Sequence, residues 1–329
     1  MKKALITGIL GQDGSYLTEL LFECGYDVHG IVRLPLSLHA KKIQNHLDAK
    51  GFRPTLHSCR LSDPEEITTL IQHLQPDECY HLAVTHFPSQ ARENAGWLQD
   101  IGVYSDNVQS GLHILGAFAN VCADAHVVVA GSCLMFSSVE QTPQNEMTTF
   151  ASHSLYGLSK ISVAELGKYF YTECGLRVST AILYNHESPR RQGDFVTKKI
   201  TRNFKKIIDG EIDGFGLHNL YSIKDWGYAK DYANGMRLMG KQDMPQDLIL
   251  ATGQAHTVED FIAVAAKCAG ITDWRSRIQV QCSSPPMNMP VALIGDSSLA
   301  MRDLGWQHSL DFEELVALMM DSEMAGSLD

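Results

Sequence analysis

A tyrosine and a lysine four residues apart, Tyr156 and Lys160, form the pair in this sequence with the clearest chemical potential. Residues with this spacing share one face of a helix, so the Lys160 ammonium can lie beside the Tyr156 phenol. A nearby cation lowers the pKa of a phenol, which starts near ~10, and makes Tyr156 a candidate general base. Ser132 can hydrogen-bond the same substrate oxygen as charge develops on it. These residues are predicted to take a hydroxyl proton while hydride leaves the same carbon, and this chemistry requires a hydride acceptor.

Three glycines, Gly8, Gly11 and Gly14, follow a short apolar run at residues 3–7 that is predicted to be a buried strand. An amphipathic run, residues 15–24, comes next and is predicted to be a helix. Glycines with this spacing let the backbone turn tightly and bring the helix N-terminus up to a pyrophosphate. The loop therefore predicts a dinucleotide site.

The residue after the second predicted strand, residues 27–32, indicates which dinucleotide binds. A carboxylate at this place would pair with the ribose hydroxyls of NAD, whereas a cation suits the extra phosphate of NADP. The residue is Arg33, and residues 34–36 supply no second cation. We predict NADP, with NAD as the alternative.

Strands and helices alternate through the next part of the chain. Strands are predicted at 55–61, 78–83, 126–131 and 176–183, and helices at 63–74, 106–122 and 156–174. This rhythm predicts an α/β fold, a Rossmann-type doubly wound parallel sheet that binds ligands beyond the C-terminal ends of its strands. Ser132 follows such an end and Tyr156 opens the next helix, so both belong to that rim.

The chain is predicted to divide into two parts at Tyr184, where the pattern becomes polar and basic. Residues 1–184, with return segments near 225–256, form the NAD(P)-binding domain. Residues 185–224 and 257–329 form the smaller C-terminal substrate-binding lobe, with helices at 258–270 and 312–320.

Composition narrows the class of partner. The sequence has 27 Lys and Arg against 38 Asp and Glu, and the net charge of -11 disfavours nucleic acid and anionic membranes as partners. The eight cysteines have neither metal-site nor disulfide spacing, so no metal is predicted and free thiols suit a cytoplasmic location. No apolar run approaches the ~18 residues of a membrane span, and no signal peptide is expected.

Two further segments carry candidate ligand-binding groups. Residues 185–191 follow a strand end and concentrate polar and charged side chains, as an anion-binding loop would. A helix is predicted to open at Phe195, where Lys199 could meet a diphosphate or belong to a solvated basic face. Lys224 could likewise contact a phosphate or belong to an ordinary connection between the two lobes.

The chain resembles the extended short-chain dehydrogenases/reductases and, within them, the GDP-mannose 4,6-dehydratase family, over nearly its whole length. The resemblance rests on runs at residues 5–17, 28–33, 75–77, 156–160, 184–191, 195–197, 225–232, 251–253 and 295–296. Membership implies an NADP-type cofactor, a nucleotide-sugar substrate that is GDP-linked, transient oxidation at C4 of the hexose, and a homodimer or homotetramer.

The resemblance also implies which residues bind the ligands. The cofactor-binding set is Gly8, Gly11, Gln12, Asp13, Gly14, Arg33, Leu82, Tyr156, Lys160, Asn185, His186 and Arg191. The substrate-binding set is His86, Cys133, Asn185, Glu187, Val196, Lys199 and Lys224. The catalytic set is Ser132, Tyr156 and Lys160.

One departure from the family pattern changes the expected chemistry. The family has a Thr-Ser-Glu run whose Glu removes the C5 proton, and this chain has Ser132, Cys133 and Leu134 there. Leucine cannot accept a proton, and losing a positioned base typically costs on the order of 10²–10⁴ in rate. His86 and Cys133 are the nearest replacements by sequence; otherwise dehydration does not occur.

Other departures concern nucleotide recognition. Arg60 stands where the family has an Asp that reads the adenine, and Lys224 stands where it has a diphosphate-binding Arg. The family's C-terminal Arg-Pro-x-Glu run is replaced at residues 286–289. The sequence therefore determines neither the nucleobase nor the sugar of the substrate.

Two classes of function remain. The first is an active NAD(P)-dependent nucleotide-sugar enzyme, either a dehydratase or, because of Leu134, a 4-oxidase, an epimerase or a 4-keto reductase. The second is a non-catalytic paralogue that binds nucleotide. The retained Tyr156, Lys160 and glycine loop favour the enzyme.

Overall fold

A computed structural model describes residues 1–85, 97–193, 195–281 and 292–329. In chain order the strands are β1 Lys3–Thr7, β2 Asp27–Val32, β3 Thr55–Ser58, β4 Glu78–His81, β5 His126–Ala130, β6 Arg177–Leu183, β7 Asn185–Glu187, β8 Phe215–Leu217, β9 Ile223–Lys224, β10 Trp226–Tyr228, β11 Leu248–Leu250, β12 His256–Thr257 and β13 Ile278–Val280. The helices are α1 Gln12–Glu23, α2 Leu38–Ala49, α3 Pro64–Leu74, α4 Trp97–Val121, α5 Leu155–Cys174, α6 Val196–Ile208, α7 Ala229–Gly240, α8 Val258–Cys268, α9 Ser298–Leu304 and α10 Phe312–Ala325.

A seven-stranded parallel sheet in the order β11-β6-β5-β4-β1-β2-β3 forms the centre of the molecule. Its inner strands are nearly continuous apolar runs because helices cover both faces. The strand order reverses at β1, which lies between β2 and β4. Ligands of such sheets bind beyond the C-terminal strand ends at this reversal. The predicted Rossmann-type fold is confirmed.

The sequence misplaced several element ends. Helix α2 was not predicted; Ser37 caps it by accepting a hydrogen bond from the Ala40 amide, and its hydrophobic pattern is weak. The described part of helix α4 already includes Trp97, well before the predicted start near residue 106. Trp97 and Leu98 are exposed, so they hide the amphipathic pattern in the sequence. Strands β3 and β4 end earlier than expected, and the residues after them line the cleft.

A second hydrophobic core lies beside the sheet, between α6, α8 and α10. Phe204, Phe261 and Phe312 are almost fully buried there, together with Trp226. This second core agrees with the predicted smaller lobe. The residue boundaries of the two parts stay a prediction.

Asp225 connects the two parts of the molecule. Its buried carboxylate accepts hydrogen bonds from the amide and hydroxyl of Thr252, from the Gly253 amide and from the Gly295 amide, at 2.6–3.2 Å. Three separate chain segments therefore meet at one side chain, directly after Lys224. The connection between the two lobes, which was one of the two roles considered for Lys224, is therefore made by its neighbour Asp225.

The described part of the chain contains no helix long and apolar enough to cross a membrane. Within the same residues, no group of three or more His, Cys, Asp or Glu side chains could hold a metal ion. The seven cysteines that are described are all free.

Arg190 is fully buried and holds several elements together. Its guanidinium donates to Glu19 at 2.5 Å and to Ser15 at 3.1 Å, and it contacts His46 at 2.9 Å. It also stacks over the Tyr16 ring at 3.8 Å. Although it belongs to the predicted anion-binding loop, Arg190 does not line the cleft.

Replacing Arg190 with methionine is expected to lower the free energy of unfolding by ~3–5 kcal/mol, because Glu19 would keep a buried charge without its partner. Urea denaturation of both proteins measures the difference. Arg302→Met removes an exposed arginine and serves as the control, which should leave the midpoint unchanged. Equal midpoints for all three proteins would contradict this role.

Candidate active site

A cleft of about 1280 Å³ opens at the C-terminal ends of the sheet. Pockets for one small ligand usually have ~300–1,000 Å³, so this cleft has room for a dinucleotide and a second ligand. The predicted site residues that line it are Gly8, Gly11, Gln12, Asp13, Gly14, Arg33, Leu82, Ser132, Cys133, Tyr156, Lys160, Asn185, His186, Glu187, Arg191, Val196 and Lys224. Lys199 is not among the lining residues, and His86 lies outside the described part of the chain.

The glycine loop between β1 and α1 is closely packed on itself. Gly8 has a φ of 74°, and its carbonyl accepts a hydrogen bond from the Gly11 amide at 2.9 Å. A Cβ on Gly14 would lie 2.4 Å from the Gly8 oxygen, so only glycine fits there. Helix α1 has no side-chain cap, which leaves its first amide groups for an anion. The loop therefore fits a pyrophosphate.

His186 and Asp13 form a charged pair beside this loop. The imidazole Nε2 lies 3.1 Å from the Asp13 carboxylate and Nδ1 lies 2.7 Å from the Tyr184 carbonyl oxygen. Both partners are acceptors, so a protonated imidazole can donate a hydrogen bond to each of them. Burial by itself lowers the pKa of His186, but the Asp13 charge and hydrogen bond raise that pKa above its usual value. The pair with Asp13 therefore favours the charged form of His186 at the predicted pyrophosphate site.

Two arginines lie at neighbouring strand ends, because Val32 pairs with Ser58 in the sheet. Arg60 donates to Glu66 at 2.6 and 2.9 Å and to Asp63 at 2.9 Å, so its charge is already balanced. Arg33 makes no ion pair with any described residue. Arg33 is thus the cation available to a phosphate at this end of the cleft.

The three predicted catalytic residues come together at the rim. The Ser132 hydroxyl lies close enough to the Tyr156 phenol to influence its pKa, and it accepts from the Leu134 amide at 3.2 Å. Lys160 donates to the Ala130 carbonyl at 2.6 Å, and its nitrogen lies 5.8 Å from the centre of the Tyr156 ring. Their arrangement can hold one substrate oxygen between a hydroxyl and a phenol.

The pKa values in this trio differ from the expectation that Lys160 lowers the pKa of Tyr156. Burial, reinforced by the nearby Cys133, raises the pKa of the Tyr156 phenol, although Arg191 and Ser132 act in the opposite direction. Burial also lowers the pKa of Lys160 to about 8. Desolvation outweighs the Arg191 charge and the Ser132 contact, so Tyr156 is a neutral phenol here and can donate a proton.

Asn107 supports the site and was missed by the sequence reading. Its side chain accepts from the Thr85 amide at 2.8 Å, donates to the Thr85 carbonyl at 3.0 Å and reaches the Ser159 hydroxyl at 3.4 Å. Ser159 in turn donates to the Tyr156 carbonyl at 2.7 Å. A polar residue on the buried face of α4 was the signal that could have revealed it.

Leu134 lines the cleft directly beside Ser132, in a short 3-10 helix at Cys133–Phe136. Its carbonyl is packed so closely on Gly157 that a Cβ there would lie 2.4 Å from the oxygen. The backbone at Leu134 is therefore held firmly, with an apolar side chain partly exposed in the cleft.

Cys133 does not supply the missing base. Its side chain is buried, and burial raises the pKa of the thiol to about 11 despite the opposing charge of Lys224. At neutral pH the group is protonated, so it cannot accept a proton efficiently. The other candidate, His86, lies outside the described residues.

Three carboxylates line the described part of the cleft: Asp13, Asp106 and Glu187. Asp13 is paired with His186, and Asp106 lies on an exposed turn of α4. Glu187 is buried; its Oε2 accepts from the Thr197 hydroxyl at 2.8 Å and lies 3.2 Å from the Arg191 Nε.

The end of the cleft at the smaller lobe offers polar groups around Lys224. His218, Asn219 and Ser222 line it with Lys224, and no motif in the sequence indicated the first three. The buried Asn185 Nδ2 has no hydrogen-bond partner among the described residues. These groups suit a polar second ligand.

Comparisons with known proteins agree with this geometry. A family model described as GDP-mannose 4,6 dehydratase matches residues 5–319. GDP-mannose 4,6 dehydratase 2 of Arabidopsis thaliana is 36% identical over 333 residues, covering 98% of this chain and 87% of the relative. The human GDP-mannose 4,6 dehydratase is 32% identical, covering 98% of this chain and 91% of the relative.

Solved structures show the same fold at lower identity. A UDP-glucose 4-epimerase from Thermotoga maritima superposes with a TM-score of 0.82 at 18% identity, covering 98% of this chain and 99% of that one. An NAD-dependent NDP-hexosamine 5,6-dehydratase gives 0.80 at 18% identity and covers both chains fully, at 100% each.

Proposed function

This chain belongs to the GDP-mannose 4,6-dehydratase family, and we propose that it is a member that transfers hydride at C4 of a nucleotide-linked hexose without eliminating water. It is an NAD(P)-dependent nucleotide-sugar enzyme of the short-chain dehydrogenase/reductase type. The observation that carries the proposal is the contrast between the Ser132 and Tyr156 hydroxyl groups and their neighbour Leu134. Ser132 and Tyr156 are in place for C4 chemistry, whereas Leu134 stands where elimination needs a base.

The roles of the catalytic residues follow from their contacts. When bound, the nicotinamide cofactor exchanges hydride with the sugar carbon. Ser132 and Tyr156 hold the oxygen on that carbon, and the Tyr156 phenol gives or takes the proton. Lys160, whose pKa burial lowers to about 8, can pass protons to and from Tyr156 near neutral pH.

Elimination across C5 and C6 also needs a base for the C5 proton. Leu134 has no basic atom, and the Cys133 thiol is protonated at neutral pH. Losing such a base typically costs on the order of 10²–10⁴ in rate, enough for another outcome to dominate. The family match favours dehydration as the second candidate, which would need another base, such as Glu187. A non-catalytic paralogue is disfavoured because the whole trio is retained.

Arg33 supports NADP rather than NAD as the cofactor. Arg33→Gln should weaken NADP+ binding by ~10-fold or more and leave NAD+ binding nearly unchanged, because it removes a charge-assisted contact to the extra phosphate. Calorimetric titration with both cofactors measures this. Arg53→Gln, an exposed arginine outside the cleft lining, is the matched control. An equal loss for both cofactors would contradict the assignment.

The GDP-linked substrate, the cytoplasmic location and the homodimer or homotetramer are part of the same proposal, supported by the family. Product mass analysis with GDP-, UDP- and CDP-hexoses plus NADP+, and with the corresponding 4-keto sugars plus NADPH, tests the activity and the nucleotide together. Gain or loss of two hydrogen atoms at the sugar is expected. No hydride transfer with any member of the panel would overturn the proposal.

A further inference from the structure

The surface beside the catalytic hydroxyl groups is apolar. The four residues of the 3-10 helix are Cys133, Leu134, Met135 and Phe136, and all but Leu134 are buried. The Leu134 amide donates a hydrogen bond to the Ser132 hydroxyl, which lies near the Tyr156 phenol. An oxygen held by Ser132 and Tyr156 therefore has the Leu134 side chain as a close neighbour in the cleft.

This neighbour restricts the groups next to C4 of the sugar. The ring carbon on one side of C4 carries a hydroxyl, and the carbon on the other side carries the exocyclic C6. A hydroxyl placed against leucine would lose its hydrogen bonds to water without replacement. The arrangement that avoids this cost puts C6 against Leu134, and a C6 methyl fits better than a hydroxymethyl group.

We propose, resting on the proposed function, that the substrate is a nucleotide-linked 4-keto-6-deoxyhexose, which the enzyme reduces at C4, and that Leu134 selects it by contacting the C6 methyl group. The ketone carbon takes hydride from the reduced nicotinamide cofactor, and the C=O π bond breaks. The carbonyl oxygen takes the Tyr156 proton, which water replaces by way of Lys160. The sugar gains two electrons and two hydrogens, and the cofactor is oxidised.

The protonation state of Tyr156 favours reduction of a ketone over oxidation of an alcohol. Burial raises the pKa of Tyr156, so the residue begins as a proton donor, as reduction of a ketone requires. A 4-ketone makes the neighbouring C5 proton acidic, and a base there would promote exchange or elimination. An apolar side chain at this place leaves the ketone intact until hydride arrives. A reaction of the water-eliminating class must supply such a substrate.

Binding measurements test the selection of the 6-deoxy sugar separately from turnover. Calorimetry compares GDP-6-deoxyhexose with the GDP-hexose of the same ring stereochemistry, both with NADP+ present. A hydrophobic pocket discriminates against an added hydroxyl by ~10–100-fold, so the wild type should prefer the 6-deoxy sugar by at least ~10-fold. Leu134→Asn keeps the same branched arrangement of side-chain heavy atoms and should reduce the preference to about twofold, because its amide can hydrogen-bond the hydroxyl.

Two further variants serve as controls for this comparison. Leu134→Met keeps an apolar side chain and should keep the preference, which shows that polarity rather than any change at this position matters. Ile208→Asn makes a similar exchange at an exposed position outside the cleft lining and should behave as the wild type. Equal binding of both sugars by the wild type would overturn the assignment of Leu134.

Turnover then tests the reaction. With reduced cofactor and a GDP-4-keto-6-deoxyhexose, the product mass should rise by two hydrogens and the cofactor should be consumed. If the wild type instead oxidises the GDP-hexose faster than it reduces this ketone, the inference is wrong and the proposed C4 chemistry stands. If no nucleotide sugar exchanges hydride in either direction, the proposed function itself fails.

Discussion

Replacing Tyr156 with phenylalanine is expected to lower kcat for hydride transfer by ~10²–10⁴ while cofactor affinity stays within about twofold. The ring and its packing remain, and only the hydroxyl, which lies near Ser132, is lost. Stopped-flow measurement of nicotinamide absorbance gives the rate, and calorimetry gives the affinity.

Tyr169→Phe provides the matched control for this change. Tyr169 is on the same helix, α5, but is largely exposed and does not line the cleft. It should retain wild-type turnover. If Tyr156→Phe also turned over within twofold of the wild type, the acid-base group would have to be another residue.

Leu134→Glu is expected to speed deuterium uptake at C5 of a GDP-hexose from heavy water by ~10² or more, because it restores a base where the family has one. Some 6-deoxy-4-keto product should form. The partly buried place should raise the pKa of the new carboxyl, so the gain should increase with pH through that pKa. Mass spectrometry of the recovered sugar measures both effects.

Leu134→Gln has nearly the same shape as this variant but no basic oxygen, and it should leave C5 exchange at the wild-type rate. The two variants therefore separate proton transfer from a change in packing. A cost in stability is expected for the glutamate, since a charge would enter an apolar environment. Equal exchange by both variants would mean that residue 134 does not reach C5.

The sequence predicted best where the signal is local. The β1 strand, the glycine loop and α1 follow one another directly, and the N-cap Asp63 with the following proline marks the start of α3 as predicted. Element ends were less predictable where exposed apolar residues, as at Trp97, hide the pattern.

Contacts between distant residues could not be predicted from local patterns. Asp13 and His186 are 173 positions apart, and only the fold brings them together as a charged pair. The burial that raises the pKa of Tyr156 above its usual value is likewise a property of the packed site, not of the Lys160 spacing. The family pattern identified Leu134, and the structure added the apolar turn around it.

The most direct test of the central claim is the mass of the sugar that wild-type enzyme, supplied with NADP+, returns from a GDP-hexose. Without a base at Leu134, the account predicts returned hexose or a product that is lighter by two hydrogens, with no more than trace loss of water. Efficient loss of one water, about 18 mass units, would contradict the account, because another group would then have to remove the C5 proton.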